Sequence, residues 1–394
     1  MKKINNKELK EIIQSGHINL LIGSGCSLDY LTTLNDIENR MNVETTREQA
    51  QKDYYNLIKK SKAVLNESLE ADATEKDKLT KTKQNYDSFL SFWTNTISNR
   101  SLHIVNKQVN IFTTNFDMFM EDSCERMAIP YNDGFSGQIN PVFDVKNFNK
   151  IQRYKSLQFD NTSDIPLFNI IKLHGSLSWK AENEKIIYSN GSHIEDDLAT
   201  KSGDDFNKGY KKIAVINPNA EKHLETVLHT NYASMLRKFT LELEKENSVL
   251  FVIGFSLADK HIKNLLYGVM KNNPTLVVIY FSYSQYDEVV DKHEEKNNSN
   301  LYIISSEIKK EKFNKFFKNE PDWSKFVKDT KSNKLELVEN IKDLINASKE
   351  PEKTNIVQVL SQPFEETIEY LEKTFSNGEG VTEIRTEKHE EEIL

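Results

Sequence analysis

The sequence predicts an α/β fold in which helices cover a parallel β-sheet. Short apolar runs rich in β-branched and aromatic residues recur along the chain, and this composition is typical of strands that are buried on both faces. Several of these runs are separated by segments whose apolar residues recur every three or four positions, which indicates amphipathic helices. Alternation of strand and helix predicts a parallel sheet, because a crossover helix returns the chain to the same starting edge.

Apolar runs mark the expected strands, and a long helical pattern separates two of them. The runs are residues 18–23, 109–115, 168–175, 212–218, 248–254, 275–282 and 301–305. The helical pattern lies within residues 222–246, where one face would hold Leu224, Leu228, Tyr232, Met235, Phe239 and Leu243. This helix would connect the fourth predicted strand to the fifth.

The remaining segments define the domain organisation. Residues 40–105 have almost no glycine or proline and carry apolar residues at helical intervals, so they predict a helical insertion within a main domain of residues 1–285. Residues 120–165 and 180–210 are rich in turn residues and predict loops that could cover a cleft. Residues 286–394 would form a C-terminal extension with the last strand, helices and an acidic tail. Its helical faces are predicted at Leu337, Ile341, Leu344 and Ile345, and at Phe364, Ile368, Leu371 and Phe375.

Composition narrows the class of protein. The 394 residues carry a formal net charge of −8, which disfavours binding of nucleic acid by overall charge, because neutralising phosphates requires clustered Lys and Arg. The two cysteines, Cys26 and Cys124, form no C-x-x-C pair and predict neither a zinc ribbon nor a disulfide framework. The sequence has no apolar run of membrane-spanning length and no secretion signal, so we expect a soluble cytoplasmic protein without membrane contact.

A glycine-rich turn follows the first predicted strand in the stretch NLLIGSGCSL, residues 19–28. Backbone N–H groups in such a turn can approach a pyrophosphate, because glycine has no Cβ atom. The third glycine of the dinucleotide-binding pattern is missing, since position 28 is Leu. Gly23, Ser24 and Gly25 are therefore compatible with a nucleotide cradle, but a G-x-G at the end of a strand is more often an ordinary tight turn.

The stretch FTTNFD, residues 112–117, brings polar groups to the end of the second predicted strand. Asn115 can orient a hydroxyl or a water, and Asp117 can accept hydrogen bonds from backbone or ribose. Both residue types also cap helices, which is the structural interpretation of the same stretch. Ligands of open parallel sheets bind outside the carboxyl ends of the strands, where this stretch would lie.

Two further turns follow predicted strands later in the chain. KLHGSLSW, residues 172–179, contains His174, which is either a general base that titrates near neutral pH or a structural histidine. VIGFSLADKHI, residues 252–262, places Gly254 and Ser256 before a helix, where an anion is favoured. Together with the first two, these turns would face one crevice at the same edge of the sheet.

The four motifs GSGCS, TTNFD, KLHGSL and GFSLADKHI, in this order, resemble the sirtuin-like NAD-binding fold. More narrowly, they resemble its bacterial branch of NAD-hydrolysing antiviral effectors. The resemblance covers roughly residues 10–285, with the helical insertion between its first two motifs. It implies a Rossmann-like sheet and NAD as the substrate.

The resemblance also implies roles for individual residues. As the catalytic residues it gives Asn115, which would contact the nicotinamide-side ribose, and His174, the base. As the residues that bind the dinucleotide it gives Gly23, Ser24, Gly25, Ser27, Thr114, Asp117, Asn217, Gly254 and Ser256. Protein-deacylating sirtuins also carry a four-cysteine zinc module, which a chain with two cysteines cannot build. Deacylation and bound zinc are therefore not expected. Hydrolysis of NAD by water does not need the zinc module, because water needs only a gap beside C1′ of the ribose.

The sequence thus predicts an NAD glycohydrolase that releases nicotinamide and ADP-ribose and acts by depleting NAD as an antiphage effector. One alternative is a DNA nuclease, for which Asp117 and Asp259 would be a thin set of metal ligands. Another is an NAD-binding scaffold. The resemblance implies regulation by homo-oligomerisation or by a HerA-type hexameric translocase, with nucleic acid involved only indirectly.

Overall fold

The structure is a computed structural model. It describes residues 6–100, 107–155, 162–183, 185–215, 226–255, 259–282, 301–305, 358–359 and 364–376. The strands are β1 (His17–Ile22), β2 (Gln108–Thr113), β3 (Tyr131–Asn132), β4 (Phe135–Ser136), β5 (Val142–Phe143), β6 (Arg153–Lys155), β7 (Thr162–Asp164), β8 (Leu167–Lys172), β9 (Gly175–Glu182), β10 (Lys185–Tyr188), β11 (Ile213–Val215), β12 (Ser248–Ile253), β13 (Val277–Ser282), β14 (Leu301–Ser305) and β15 (Gln358–Val359). The helices are α1 (Asn6–Ser15), α2 (Asn35–Met41), α3 (Glu44–Lys60), α4 (Ala73–Ser98), α5 (Phe119–Arg126), α6 (Gly203–Tyr210), α7 (Thr226–Leu243), α8 (Lys260–Asn272) and α9 (Phe364–Ser376).

A parallel sheet forms the centre of the molecule, which confirms the predicted α/β class. Within the described ranges its strand order is β15-β14-β13-β12-β1-β2-β8-β3. All its paired strands run parallel, and β1, β2, β8 and β12 are almost entirely buried. From β1 the chain passes to β2 and β8 on one side and later returns to β12 on the other. The strand order therefore reverses between β1 and β12, and open parallel sheets bind ligands at such a reversal.

A second, antiparallel sheet has the order β11-β9-β10-β5-β4. Its strands β4, β5 and β10 form in segments that the sequence predicts to be loops, residues 120–165 and 180–210. The run at 212–218 was expected as a strand of the parallel sheet, and this expectation is wrong for β11. Gly175 has φ +83°, and in this conformation the chain turns directly from His174 into β9, which pairs antiparallel with β11. The turn after β8 thus leads into another strand and not into a crossover helix.

Helices α3 and α4 occupy most of the region predicted to be helical. Their apolar faces enter the main core, where Tyr54, Tyr86 and Phe89 are fully or almost fully buried. The C-terminal helix α9 packs on α4 through Phe364, whose ring centroid lies 5.2 Å from those of Tyr86 and Phe89. Phe364, Ile368 and Leu371 are buried as the spacing predicts, whereas the helical face predicted at 337–345 lies outside the described residues.

Three buried asparagines occupy aligned positions on neighbouring strands: Asn19 on β1, Asn110 on β2 and Asn169 on β8. Asn110 Nδ2 donates to Asn19 Oδ1, and Asn169 Nδ2 donates to Asn110 Oδ1, each over 2.9 Å. We call this row the asparagine column. It links three strands through side chains in addition to the backbone ladder.

None of the helices in the described ranges combines the length and the apolar character that crossing a membrane requires.

Candidate active site

The glycine-rich turn begins directly after β1 and contacts the turn after β12. Residues Ser24–Ser27 form a single 3₁₀ turn and not the α-helix of the usual dinucleotide-binding unit. The N–H of Gly23 donates to the carbonyl of Ile253 over 3.0 Å, and the N–H of Gly25 donates to that of Gly254 over 2.9 Å. The two turns are therefore joined along their backbones at the point where the strand order reverses.

The close approach of these two turns explains why they are rich in glycine. A Cβ atom at Gly23 would lie 2.4 Å from the carbonyl oxygen of Gly254, and one at Gly254 would lie 2.7 Å from the nitrogen of Cys26. Gly254 also has φ +62°, a conformation that other residues adopt at a cost. This packing accounts for the glycines as parts of a tight turn, and the role of Gly23, Ser24 and Gly25 as a nucleotide cradle stays a prediction.

Asn115 follows β2 and reaches across to the glycine-rich turn. Its side-chain Nδ2 donates to the carbonyl of Gly23 over 3.1 Å, and its backbone N–H donates to Thr113 Oγ1 over 3.0 Å. These bonds fix the orientation of the amide. Its Oδ1 is buried and has no hydrogen-bond partner among the described residues, which leaves an oriented acceptor for a ligand or water. The neighbouring Thr114 is half-buried, and its N–H donates to Ile22 over 3.3 Å.

Asp117 and Ser27 bind each other inside the protein. Ser27 Oγ lies 2.9 Å from Asp117 Oδ2 and 2.8 Å from the hydroxyl of Tyr86. Both residues are almost completely buried. Burial raises the pKa of Asp117, and the ammonium of Lys172 and the bond from Ser27 act in the opposite direction. This pair joins the glycine-rich turn to the TTNFD segment and to α4.

His174 lies in the turn between β8 and β9, where its imidazole faces the carboxylate of Asp259. Its Nε2 is 3.1 Å from Asp259 Oδ2, with 18% of the histidine side chain exposed and 9% of the aspartate. Asp259 is the N-cap residue of α8, and its Oδ1 accepts from the N–H groups of His261 and Ile262. The helix thus fixes the aspartate, and the second carboxylate oxygen faces the imidazole. On another side the ring of Tyr232 lies 6.1 Å from the imidazole, centroid to centroid.

Backbone hydrogen bonds place the KLHGSL turn beside the TTNFD segment. The N–H of Leu173 donates to the carbonyl of Thr113 and that of Leu177 to Phe116, each over 2.8 Å. Lys172 donates from its ammonium to the carbonyl of Asp117. The structure therefore brings the turns after β1, β2, β8 and β12 together at one edge of the sheet.

Some predicted site residues lie outside the described ranges, and other relevant residues were not predicted. Asn217 and Ser256 fall on residues that the structure does not describe. The sequence marked Asp259 in an anion-favouring turn but gave no sign of its pairing with His174. Tyr232 carried only the signal of a buried helical face, and Tyr86 belonged to no motif.

The carboxylates considered for a metal-dependent nuclease have different partners. Asp117 is hydrogen-bonded to Ser27, whereas Asp259 pairs with His174. Within the ranges that the structure describes, no three His, Cys, Asp or Glu residues are grouped so as to hold a metal ion. Cys26 and Cys124 are both buried as free thiols.

Comparisons with known proteins identify the family. A model of the SIR2-like domain matches residues 109–305, half of the 394-residue chain, and includes Asn115, His174 and Gly254. A solved structure from work described as "Structural Basis for the Mechanism and Regulation of Sir2 Enzymes" aligns with 76% of this chain and 90% of that chain, at 12% identity and a TM-score of 0.35. No curated protein matches the sequence. On the extent of the family-model match, the chain belongs to the SIR2-like domain family, a family of NAD-dependent enzymes.

Proposed function

We propose that this protein is an NAD glycohydrolase that cleaves the bond between nicotinamide and ribose. The observation that carries the proposal is the buried, unpartnered Oδ1 of Asn115 at the carboxyl edge of the sheet. A buried acceptor without a partner costs free energy in the ligand-free protein, so its retention supports a role in contacting a ligand. Membership of an NAD-dependent family supports NAD as that ligand.

The reaction makes modest demands on the protein. The C1′–N bond to nicotinamide breaks, its electron pair goes to the pyridinium ring, and the ring leaves as a neutral molecule without needing a proton. A water oxygen bonds to C1′, and one water proton is passed to a base and then to solvent. The site must therefore position the dinucleotide, stabilise positive charge on the ribose and direct the water.

Asn115 suits the positioning role. Its amide is anchored through Nδ2 to Gly23, so Oδ1 cannot exchange places with the nitrogen without losing that bond. A fixed oxygen acceptor would hold a water or a ribose hydroxyl by accepting a hydrogen bond from it. Gly23, Ser24, Gly25, Thr114 and Gly254 would lie along the dinucleotide, and the bond between Ser27 and Asp117 would keep their turn in shape.

His174 suits the role of base. When Asp259 accepts a hydrogen bond from Nε2–H of the neutral imidazole, the ring lone pair is on Nδ1. The aspartate also stabilises the imidazolium that forms when a proton is taken up, as an orienting carboxylate does in other acid–base sites. In this proposal His174 removes the proton of the attacking water or of a ribose hydroxyl.

We further propose that the enzyme depletes NAD in the cytoplasm as an antiphage effector, controlled by homo-oligomerisation or by a HerA-type translocase. The likeness of the four motifs to bacterial NAD-hydrolysing antiviral effectors supports this role. Such an activity has to be silent in a healthy cell, which requires a controlling partner or assembly.

The test is nicotinamide release from NAD by the purified chain, alone and together with a HerA-type translocase and DNA. Under the condition in which the parent protein is active, His174→Ala should lower the rate by about 10²- to 10⁴-fold, the usual contribution of acid–base catalysis. Asn115→Ala should also lower the rate. A suitable control is His17→Ala, because His17 lies at the opposite end of β1.

Circular dichroism spectra that match the parent would show that the variants are folded. Hydrolysis by His174→Ala at the parent rate would remove the base from the proposal. A folded parent protein that releases no nicotinamide under either condition would overturn the proposed activity itself.

A further inference from the structure

We propose that Tyr232 is a further side chain of the candidate active site and that its hydroxyl donates a hydrogen bond to a ribose hydroxyl of the bound dinucleotide. This proposal rests on the proposed function. It concerns a residue of α7, a helix that carries none of the four motifs.

The position of Tyr232 links it to the pair of His174 and Asp259. The tyrosine ring is inclined by 52° to the imidazole at 6.1 Å between centroids, so it forms a wall beside the ring. The tyrosine is only 8% exposed, whereas the histidine side chain is 18% exposed. The phenol is therefore buried beside an imidazole that stays partly exposed.

The hydroxyl of Tyr232 has no hydrogen-bond partner in the part of the chain that the structure describes, and the oxygen is buried. A buried hydroxyl without a partner is destabilising, and a phenylalanine would fill the same space without that cost. Phe239, two turns later on the same helical face, is fully buried in this way. The contrast points to a function for the extra oxygen atom.

The chemistry of the phenol defines what it would bind. Burial raises the pKa of Tyr232, and the negative charge of Asp259 raises it further, so the hydroxyl keeps its proton at neutral pH. The protonated phenol can therefore donate one hydrogen bond to a ligand acceptor. A ribose hydroxyl fits this position because it accepts one hydrogen bond and can donate another to a neighbouring carboxylate or amide.

The test compares Tyr232→Phe with two other tyrosine-to-phenylalanine variants. Tyr280→Phe removes a buried hydroxyl that donates to the carbonyl of Phe255, and Tyr154→Phe removes an exposed one on β6. For each protein the measurements are the melting temperature without ligand, the Kd for ADP-ribose by calorimetry, and kcat and KM for NAD.

Tyr232→Phe should melt at or above the parent temperature, because it removes an unsatisfied group, whereas Tyr280→Phe should melt lower. The Kd of Tyr232→Phe for ADP-ribose should rise about 5- to 30-fold, the factor expected for one lost hydrogen bond to a ligand. Tyr154→Phe should bind ADP-ribose as the parent does.

Two results would overturn the proposal. One is an unchanged Kd and KM in Tyr232→Phe, and the other is a lower melting temperature, which would mean that the hydroxyl is already satisfied within the protein. These outcomes are distinct from failure of the proposed function. A parent protein that hydrolyses NAD while Tyr232→Phe behaves identically refutes only the role of the tyrosine. A parent that binds ADP-ribose through Tyr232 but does not hydrolyse NAD refutes only the activity.

Discussion

The carboxylate of Asp259 connects two elements that are distant in sequence. One oxygen accepts from the first N–H groups of α8, and the other lies 3.1 Å from Nε2 of His174. Because both oxygens are engaged, the carboxylate cannot rotate without losing one of its two functions. The first turn of α8 therefore fixes the carboxylate that faces the imidazole.

Asp259→Asn should lower kcat for NAD hydrolysis by roughly 10²- to 10⁴-fold with little change in KM. The amide oxygen can still cap α8, while the amide nitrogen donates to Nε2 of His174 and moves the imidazole proton to Nδ1. The lone pair of the base then points at the amide and not at the reactants. Steady-state kinetics of nicotinamide release measures this effect.

Asp259→Ser is the matched control, since serine also caps helices but donates nothing fixed to Nε2. It should keep more activity than the asparagine variant. A kcat for Asp259→Asn within about twofold of the parent would rule out an orienting role, because wrong-tautomer effects are far larger than that.

At the scale of elements, the contact between the turns after β1 and β12 is the feature that shapes the site. Gly254→Ala should destabilise the protein by about 2–4 kcal/mol, because the new Cβ would meet Cys26 at 2.7 Å and the backbone has φ +62°. Nicotinamide release should fall with it, since the glycine-rich turn would have to move. Urea unfolding followed by circular dichroism measures the stability change.

Gly268→Ala provides the opposite expectation within the same protein. A Cβ at Gly268, inside α8, meets nothing within 4 Å, so the substitution should stabilise the protein by about 0.5–1 kcal/mol through helix propensity. If Gly254→Ala proved as harmless as Gly268→Ala, the contact between the two turns would not be tight in solution.

The sequence predicted six of the eight strands of the parallel sheet, because each is a largely apolar run such as Ser248–Ile253, which is typical of burial on both faces. The two-residue strands β3 and β15 carry too few residues for such a run and were not predicted. The sequence did not predict β9, although Leu177, Trp179 and Ala181 alternate with polar residues there, because the expected strands were continuous apolar runs and β9 is instead a half-polar strand that begins at a glycine with positive φ. It predicted a cluster of motifs at one edge of the sheet. It could not predict the pairing of His174 with Asp259, since nothing in local spacing reports a contact between the ends of β8 and α8.

For the molecule as a whole, a buried charge cluster behind the candidate site should govern how stability changes with pH. Glu121 and Asp117 are both buried near Lys172, whose ammonium lies 3.1 Å from Glu121 Oε1. Burial raises the pKa of Glu121 to about 7, an effect that Lys172 opposes and Asp117 reinforces. With one ammonium facing two carboxylates, the folded state favours a proton on this cluster.

Glu121→Gln should therefore become increasingly stabilising, relative to the parent, as the pH rises. The folded parent binds more protons than the unfolded chain between the ordinary glutamate pKa and about 7, so its stability falls across that window. The difference in unfolding free energy between variant and parent should grow on the order of 2–3 kcal/mol from pH 4.5 to pH 8.

Urea unfolding of both proteins at each pH measures this difference, in which the contributions of titrating groups that do not interact with Glu121 cancel. Glu125→Gln is a comparison at a more exposed position of α5. A difference between Glu121→Gln and the parent that stays constant with pH would show that folding does not raise the pKa of Glu121.

The asparagine column has a consequence for how the chain finds its fold. Its three strands are joined by long connections, so no hairpin turn sets their alignment, and aliphatic side chains can interdigitate in more than one way. A buried amide tolerates fewer alignments than an aliphatic side chain, because it has to keep its hydrogen bonds. A pairing shifted by one residue would turn Asn19, Asn110 or Asn169 to the opposite face of the sheet. The amide of that residue would then lie among apolar side chains without its hydrogen-bond partner. Shifted pairings are penalised at both strand junctions, so the column favours the native register of the three strands that carry the candidate site.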